Sequence, residues 1–445
     1  MEFFYNKGKL KDIAAETVRL AQRNGADAAQ VDTSESASME VTVRGGKLDS
    51  MDISRSQELS LTVYVNNHEG SASVGELTTI AMQTAVDKAL SIARAGAADS
   101  CAGLADSALM ATHFHDLSLY HPWELSPEAA ITLACECEAS SWEAHSAINR
   151  KKSEAALSTG ISQNVYANSH GFCEIEQETA HTISCTAIAE KDGQMERDGW
   201  SETRRQSSQL PLATAIGRDG GERAARRLGG KTIRAGRVNV LFQAPISHSL
   251  IYHLLGAASG GALYHKTSWL LNKLNEQVCA PHINISENPH LLGKMRSANY
   301  DNEGVATCPR TVVENGIWNG RFLSSYSARR LNTQTTGNAG GAHNLEVTGH
   351  TLNNVDMRQA LGTGLIVTEL MGQGVNSVNG DYSRGAAGFW VENGTIVHPV
   401  SEATIAGNLL QMLPTIVAIG DDAMNRGLVL CGSILIPNLT VGGAR

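Results

Sequence analysis

The sequence predicts an α+β protein of two domains, an α/β N-terminal domain over residues 1–230 and a β-rich C-terminal domain with a helical layer over residues 231–445. Three observations support this prediction. The chain has 445 residues, which is more than one ordinary hydrophobic core accommodates. The first half alternates amphipathic helical segments with strand-like runs. The second half has short strands and glycine-rich turns, apart from one helical stretch at about 246–278.

Four helices are predicted in the N-terminal half from their apolar periodicity and their end signals. The first ends in Asn24-Gly25, which is a typical helix stop. The third begins at Ser126-Pro127, where serine suits the N-cap and proline suits the first helical position. The predicted helices cover residues 10–24, 77–95, 126–145 and 213–228.

The strand signals are runs of alternating apolar and polar residues bounded by turn residues. Residues 59–65, LSLTVYV, show the alternation most clearly. Two longer segments have turn residues in their middle and therefore predict antiparallel hairpins. Strands are predicted at 28–33, 39–43, 59–65 and 238–242, and hairpins at 164–177 and 184–200. The domain boundary is placed at about residue 230, after Gly229-Gly230.

The charge of the chain bears on its partners. The net charge is -9 and the pI is about 5.9, so the chain lacks the basic surface that binds nucleic acid or anionic membranes. The one basic cluster, at 223–234, alternates with alanine, leucine and glycine and is interpreted as the solvated face and end of a helix. We therefore expect no nucleic-acid partner.

The cysteines and the N-terminal sequence bear on localisation. Eight cysteines are scattered without a CxxC pair, which is typical of reduced thiols. Cys135 and Cys137 are interpreted as buried, inert thiols because residues two apart on a helix point in opposite directions. The sequence shows no signal-peptide pattern and no run of about 18 apolar residues. A cytoplasmic protein without a membrane span is expected.

The stretch HSLIYH, residues 248–253, places two histidines in a segment that resembles an apolar helix. Their i, i+5 separation turns the rings about 140° apart on an ideal helix, so one metal ion is hard to share. Ser249 follows the first histidine and cannot serve as the carboxylate base of a zinc peptidase. The sequence is compatible with two interpretations: two histidines packed on a helix, or a metal site. Spacing assigns no third ligand among His265, Cys279, His282 and Cys431.

A glycine-rich segment over residues 371–394, MGQGVNSVNGDYSRGAAGFWVENG, predicts a loop and strand that another chain segment approaches closely. Internal packing, a peptide groove and a subunit interface are all compatible with it. Two polar segments, 326–330 and 335–341, either line the same cleft or form solvated loops. The candidate contact residues for a peptide or partner are Gly372, Gln373, Gly374, Asp381, Tyr382, Ser383, Arg384, Gly388, Phe389 and Trp390.

Nearly the whole chain resembles the TldD/PmbA family, the modulator-of-gyrase proteins, and specifically its PmbA (TldE) branch. The resemblance is carried by residues 371–409 (MGQGVNSVNGDYSRGAAGFWVENGTIVHPVSEATIAGNL) and by SSYSARRL at 324–331. NVYANSHG at 164–171, AIAEKDGQMERD at 187–198 and CGSILIPNLTVGG at 431–443 also match.

This resemblance implies a cytosolic two-domain protein that joins a TldD-type subunit in a hetero-oligomeric metalloprotease. Such assemblies act on unfolded or extended peptides, remove the leaders of ribosomally made peptide antibiotics and degrade an antitoxin. The TldD-type subunit carries an HExxxH motif, a cysteine ligand and the zinc. By position, His248 and His253 would occupy the histidine places, Ser249 stands where the glutamate should be, and Cys431 lies downstream of the cysteine place. The resemblance therefore implies no catalytic residue, metal ligand or cofactor in this chain.

Three hypotheses follow from the sequence. In the first, the chain is the PmbA-type subunit of a metallopeptidase and its TldD-type partner supplies the zinc. In the second, the chain forms a homodimeric peptidase with an atypical metal site at His248 and His253. In the third, it is a peptide-binding or scaffold protein without hydrolytic activity that uses residues 371–394 for strand addition.

Overall fold

One antiparallel sheet organises the N-terminal half. We describe the chain from a computed structural model, which covers residues 1–443; the last two residues of the predicted C-terminal domain lie outside it. The sheet has the strand order β3-β2-β1-β4-β5-β6 and four of the helices pack on one of its faces. In chain order the elements are α1 (Lys7–Arg23), β1 (Ala28–Arg44), β2 (Lys47–Val65), β3 (His68–Val74), α2 (Thr79–Ala95), α3 (Pro127–Ala144), β4 (Glu154–Asn168), β5 (Cys173–Lys191), β6 (Gln194–Arg204) and α4 (Ala213–Arg226).

The four predicted N-terminal helices and both hairpins are confirmed, with ends that differ by a few residues. Asn6 caps α1 by accepting a hydrogen bond from the Lys9 amide at 2.9 Å. Ser126 caps α3 in the same way, with the Ala129 amide at 3.2 Å from its hydroxyl. The α+β fold class is therefore confirmed in this half.

The two strands predicted at 28–33 and 39–43 are one continuous strand, β1. The polar residues between them keep the alternation of buried and exposed side chains, and the Glu35 side chain is buried. Its carboxylate accepts hydrogen bonds from Gln57 at 3.0 Å and from Gln163 at 2.6 Å. A paired carboxylate can remain inside a sheet, so the polar run does not interrupt the strand.

The C-terminal half consists of two further sheets around one large core. Five strands, β7, β13, β14, β15 and β19, close on themselves as a barrel because β19 pairs with β7 as well as with β15. The second sheet has the order β10-β9-β8-β11-β18-β17. The strands are β7 (Gly236–Phe242), β8 (Asn284–Glu287), β9 (Arg310–Glu314), β10 (Ile317–Trp318), β11 (Leu345–Thr348), β12 (Thr351–Leu352), β13 (Gly364–Met371), β14 (Asp381–Glu392), β15 (Thr395–Asn408), β16 (Ala418–Gly420), β17 (Met424–Arg426), β18 (Val429–Cys431) and β19 (Ile434–Gly442).

The helices of this half are shorter than the sequence suggests. They are α5 (Ala244–Ala258), α6 (Gly260–Tyr264), α7 (Ser325–Arg330), α8 (Asn354–Leu361) and α9 (Leu409–Met412). The prediction of a helical stretch over 246–278 is wrong beyond α5 and α6. The chain turns at Ser259, and a side chain on Gly260 would meet the Ser327 hydroxyl at 2.1 Å. No helix within residues 1–443 is long and apolar enough to cross a membrane.

The basic cluster at 223–234 does not lie wholly on a solvated helix face, as the sequence suggested. Arg227 caps the C-terminal end of α4 and is largely buried. Its guanidinium pairs with Glu369 of β13 and lies 3.4 Å from Glu196 of β6. Arg223 pairs with Asp198 at 3.2 Å. Burial of these charges requires carboxylate partners, and the partners of Arg227 come from both halves of the chain.

Helices α3 and α4 cross at a glycine. A methyl group on Gly217 would lie 1.8 Å from the carbonyl oxygen of Cys137, so the two helix backbones touch there. We expect Gly217→Ala to lower the free energy of unfolding by about 1–3 kcal/mol, since an added methyl group in a packed core forces the helices apart.

Gly256 in α5 is the matched control, because it is also helical and a methyl group there would meet open space. We expect Gly256→Ala to be neutral or to stabilise the protein by about 0.5–1 kcal/mol. Urea denaturation of both variants measures the difference. Equal stabilities would contradict the close packing of α3 on α4.

Candidate functional site

Helix α5 positions the two histidines of the HSLIYH stretch. The helix begins after β7 with Pro245 in its first turn. Its buried residues recur at helical spacing and pack into the C-terminal core. His248 and His253 lie beside this stripe and both are half-buried. The helix is regular from Ala244 to Ala258, so the histidine rings keep the wide angular separation that the sequence predicts.

Each histidine packs on a different tyrosine. His248 contacts Tyr252 of its own helix edge to face, with 5.4 Å between ring centroids. His253 contacts Tyr382 of β14 in the same geometry, at 6.0 Å. Nδ1 of His248 and Nε2 of His253 are shielded from solvent and have no hydrogen-bond partner within residues 1–443. The two rings therefore pack on separate neighbours, and each keeps a nitrogen without a hydrogen-bond partner.

Ser249 stands at the place where a metallopeptidase would need a carboxylate. Its hydroxyl donates a hydrogen bond of 2.7 Å to the carbonyl oxygen of Ile246 in the preceding turn of α5. The hydroxyl is thus engaged with the helix backbone. It provides no base for a water molecule.

The four further ligands considered from the sequence have other environments. Cys279 and Cys431 are buried in the C-terminal core, and burial raises the pKa of each thiol to about 12. The ring of His282 donates to the Ile416 carbonyl at 3.0 Å. His265 stacks on its neighbour Tyr264, with 4.1 Å between centroids. Within the part of the chain that the structure describes, no three His, Cys, Asp or Glu side chains are grouped so that they could hold a metal ion.

The charges around the histidines also do not fit a metal ion. Burial lowers the pKa of His248, and the positive charge of Arg426 lowers it further. Burial likewise lowers the pKa of His253, with Arg384 as the second cause. A divalent cation held by either ring would be repelled by the adjacent guanidinium group. The described residues around these two rings therefore do not fit a divalent metal ion.

A cavity of about 510 Å³ opens beside His248, between the two halves of the chain. We call it the His248 cavity. The β5–β6 hairpin and the end of α4 form one wall, and α5, β13 and β14 form the other. Its lining residues are Thr186, Arg197, Asp198, Gly199, Arg227, Ile246, His248, Ser249, Thr368, Glu369, Leu370 and Arg384. The sequence did not predict that Arg197, Arg227 and Glu369 come together with His248, because they lie on separate elements.

The ten candidate contact residues do not share one surface. Tyr382, Gly388 and Phe389 are buried, and a methyl group on Gly388 would meet the Ile366 carbonyl at 1.8 Å. Internal packing accounts for these three residues. Arg384 is the only one of the ten in the His248 cavity. The contact role of the ten residues remains a prediction.

The loop over 372–380 is folded back on β14. The Ser383 amide donates to the Gly374 carbonyl at 2.6 Å, and the Asp381 carboxylate accepts from Asn379 at 2.7 Å and from Asn408 at 3.0 Å. The exposed candidates are Gly372, Gln373, Gly374, Asp381 and Ser383, and Trp390 is half-exposed.

The polar segments at 326–330 and 335–341 lie away from the His248 cavity. The first is part of helix α7 rather than a solvated loop. The Tyr326 hydroxyl of this helix donates a hydrogen bond to Asp99 at 2.7 Å. The Arg329 guanidinium donates to backbone carbonyls at 2.9 Å in the stretch after Asp99. Asn338 in the second segment is buried and donates to Glu287 at 2.8 Å.

A second cavity of about 510 Å³ lies between the polar face of the N-terminal sheet and loops 295–302 and 339–343. We call it the Asp32 cavity. Burial raises the pKa of Asp32 and of Glu176 to about 7, and that of Asp301 to about 6. These carboxyl groups are therefore partly protonated near neutral pH.

The chain matches known family models over most of its length. Residues 29–93 match domain 1, residues 120–228 the central domain and residues 235–443 the C-terminal domain of the PmbA/TldA metallopeptidases. The chain is 40% identical to "Metalloprotease PmbA" of Escherichia coli O157:H7 over 435 residues, covering 98% of this chain and 96% of that protein.

Solved structures share the fold. A Bacteroides thetaiotaomicron protein described as a candidate modulator of DNA gyrase superposes with a TM-score of 0.92 at 26% identity, over 98% of this chain and 99% of that one. TldE from Thermococcus kodakarensis superposes with a TM-score of 0.84 at 18% identity, over 97% and 100%. The second likeness shows the fold alone.

The cationic neighbours of the histidines predict two selective pKa changes. Arg384→Met removes the positive charge beside His253, so we expect the pKa of His253 to rise while burial keeps it below the ordinary value of 6.5. Arg426→Met should raise the pKa of His248 in the same way. NMR titration of ¹³C-labelled histidine in the two variants measures both, and each variant is the control for the other. Unchanged histidine pKa values in both would contradict the proximity of the guanidinium groups.

The raised pKa of Asp32 predicts that the stability of the protein depends on pH. The ordinary Asp32 pKa of 3.8 in the unfolded chain rises to about 7 in the folded protein, so the folded state binds more protons between these values and loses stability as the pH rises through them. Asp32→Asn removes this loss. We expect the stability gain of the variant to be small at pH 4, to grow up to about pH 7 and then to level off.

Urea denaturation at pH 4, 5.5, 7 and 8 tests the Asp32 prediction. Asp52→Asn, on an exposed part of β2, is the control for the loss of one carboxylate. A gain that is independent of pH would contradict burial of an ionisable Asp32 side chain.

Proposed function

The chain belongs to the PmbA/TldD family of metallopeptidases, and we propose that it is the PmbA/TldE-type subunit of a metalloprotease that cleaves extended or unfolded peptides. In this proposal a TldD-type subunit holds the zinc and carries out hydrolysis. The present chain completes the assembly and forms part of the wall that meets the peptide. Leader-peptide removal and antitoxin degradation are the roles that the family suggests for such an assembly.

The proposal rests on the residues of helix α5. The helix keeps the i, i+5 histidine spacing of the family's peptidase subunit, yet Ser249 replaces the carboxylate. The described residues group no three potential metal ligands anywhere, and guanidinium groups stand beside both rings. The family scaffold is present over 98% of the chain, which is the share aligned with the Escherichia coli relative. A complete scaffold with an incompatible metal position supports a non-metal subunit.

Co-expression with the TldD-type chain of the same organism tests this proposal. We expect a stable complex of the two chains, measured by native mass spectrometry. Cleavage of an unfolded peptide should require both chains and should stop when the partner's metal is removed with a chelator. Full activity of the TldD-type chain without this one would contradict the proposal.

Zinc content separates this proposal from a homodimeric peptidase with its own metal site. His253→Gln is expected to leave both the zinc content and the cleavage rate of the two-chain complex unchanged. Elemental analysis of the complex and of the present chain alone gives the answer. Zinc bound stoichiometrically by the present chain and lost in His253→Gln would instead establish the atypical site.

A further inference from the structure

In the His248 cavity the carboxylates have ion-pair partners, whereas two of the arginines do not. Of its two carboxylates, Glu369 is in direct contact with Arg227, and Asp198 lies 3.2 Å from Arg223 and 3.8 Å from Arg227. The other two guanidinium groups of the lining belong to Arg197 and Arg384. Within residues 1–443 neither of them is joined to a carboxylate by a salt bridge. With three arginines against two carboxylates, the lining carries one positive charge in excess, and Arg197 and Arg384 are the arginines without a carboxylate partner.

A polar side chain of the same cavity is incompletely satisfied. Nε of Arg384 is shielded from solvent and has no hydrogen-bond acceptor in the described chain. Buried donors are normally satisfied, and an unsatisfied one costs stability. Arg384 also lines the cavity, so a ligand there would be recognised by a guanidinium group that lacks both a carboxylate partner and a full set of acceptors.

The sign of the charge selects the ligand. Arg384 and Arg426 place positive charge beside both histidines, so a cation entering the cavity would be repelled. A carboxylate would be attracted. The planar guanidinium group of arginine matches the two oxygens of a carboxylate and binds them with charge-assisted hydrogen bonds.

The rest of the lining suits a carboxylate that is attached to a short chain. The Thr186 side chain provides a polar contact, and Ile246 and Leu370 provide apolar ones. A free carboxylate-sized anion would use only part of the volume of about 510 Å³. The cavity has space for further atoms of the molecule that carries the carboxylate.

A free strand edge runs along the cavity. Strand β13 pairs with β7 only from Gly364 to Val367, and its remaining residues, 368–371, have no strand on that side within the described chain. Three of these residues line the cavity. An open edge offers backbone hydrogen bonds to an extended peptide.

We propose that the His248 cavity binds the carboxylate group of an extended peptide, with Arg384 and Arg197 as its cationic partners and the free edge of β13 as support for the peptide backbone. The carboxylate is the C-terminal one or that of an acidic side chain. That the ligand is a peptide rests on the proposed function. The preference for a carboxylate rests on the charges of the cavity.

Calorimetric titration of the full chain without any partner tests this inference. Three acetylated pentapeptides serve as probes: one with a free C-terminal carboxylate, the same peptide as its carboxamide, and a carboxamide with one glutamate. We expect the free acid to bind about tenfold or more tightly than the plain carboxamide, since it gains charge-assisted hydrogen bonds. Tight binding of the glutamate peptide would assign side-chain carboxylates to the same site.

Three variants locate the effect. Arg384→Gln and Arg197→Gln should each reduce the preference for the free acid about tenfold. Arg218→Gln, which removes the same charge from an exposed position on α4, should retain the preference. Thermal unfolding checks that Arg384→Gln is folded. Arg197 is exposed at the cavity mouth, so its variant carries the test even where the other is unstable.

Equal affinity for all three peptides would overturn the inference, as would a loss of carboxylate preference in Arg218→Gln equal to that in the cavity variants. Failure of this test and failure of the proposed function are distinguishable, because the titration uses the present chain alone. If the chain binds carboxylates but forms no complex with a TldD-type subunit, the carboxylate site is supported and the proposed assembly is contradicted. If the chain forms the active complex but shows no preference for carboxylates, the proposed function is supported and the carboxylate site is contradicted.

Discussion

Arginine side chains join the two halves of this protein, and the rest of the structure depends on how their charges are satisfied. Arg205 donates to the Thr179 carbonyl at 3.0 Å in the N-terminal half and to the Met295 carbonyl at 2.8 Å in the C-terminal half. Arg329 reaches in the opposite direction, to carbonyls that follow Asp99. Because a buried guanidinium without acceptors is costly, each of these contacts fixes one half against the other.

Arg227 is the member of this group that shapes the candidate site. It holds carboxylates of β6 and β13 together and so brings the β5–β6 hairpin close to α5. Arg227 offsets the negative charge of Glu369, and Arg223 offsets that of Asp198, 3.2 Å away. The positive charges of Arg197 and Arg384 are left without compensation. A contact that fixes the domain arrangement thus also sets the charge of the cavity.

Local signals explain which parts of the fold could be predicted from sequence. Ser126-Pro127 marks the start of α3, because capping depends on residues within one helical turn. The continuity of β1 could not be predicted, since it depends on Glu35 finding Gln163, which is 128 positions away along the chain. For the same reason the sequence identified His248 and Ser249 but could not place Arg197 and Glu369 beside them. Charges on separate elements converge only through the tertiary fold.

The environment of α5 explains how this helix holds two half-buried histidines. Each ring packs edge to face on a tyrosine, an arrangement that contributes about 0.5–1.5 kcal/mol for aromatic pairs beyond the area that it buries. The Ser249 hydroxyl donates a hydrogen bond to the helix backbone, so this turn of α5 carries no unsatisfied hydroxyl group. These contacts offset part of the cost of burying the ring nitrogens. The positive charges of Arg426 and Arg384 act on these rings, so the electrostatics of this position disfavour a cation.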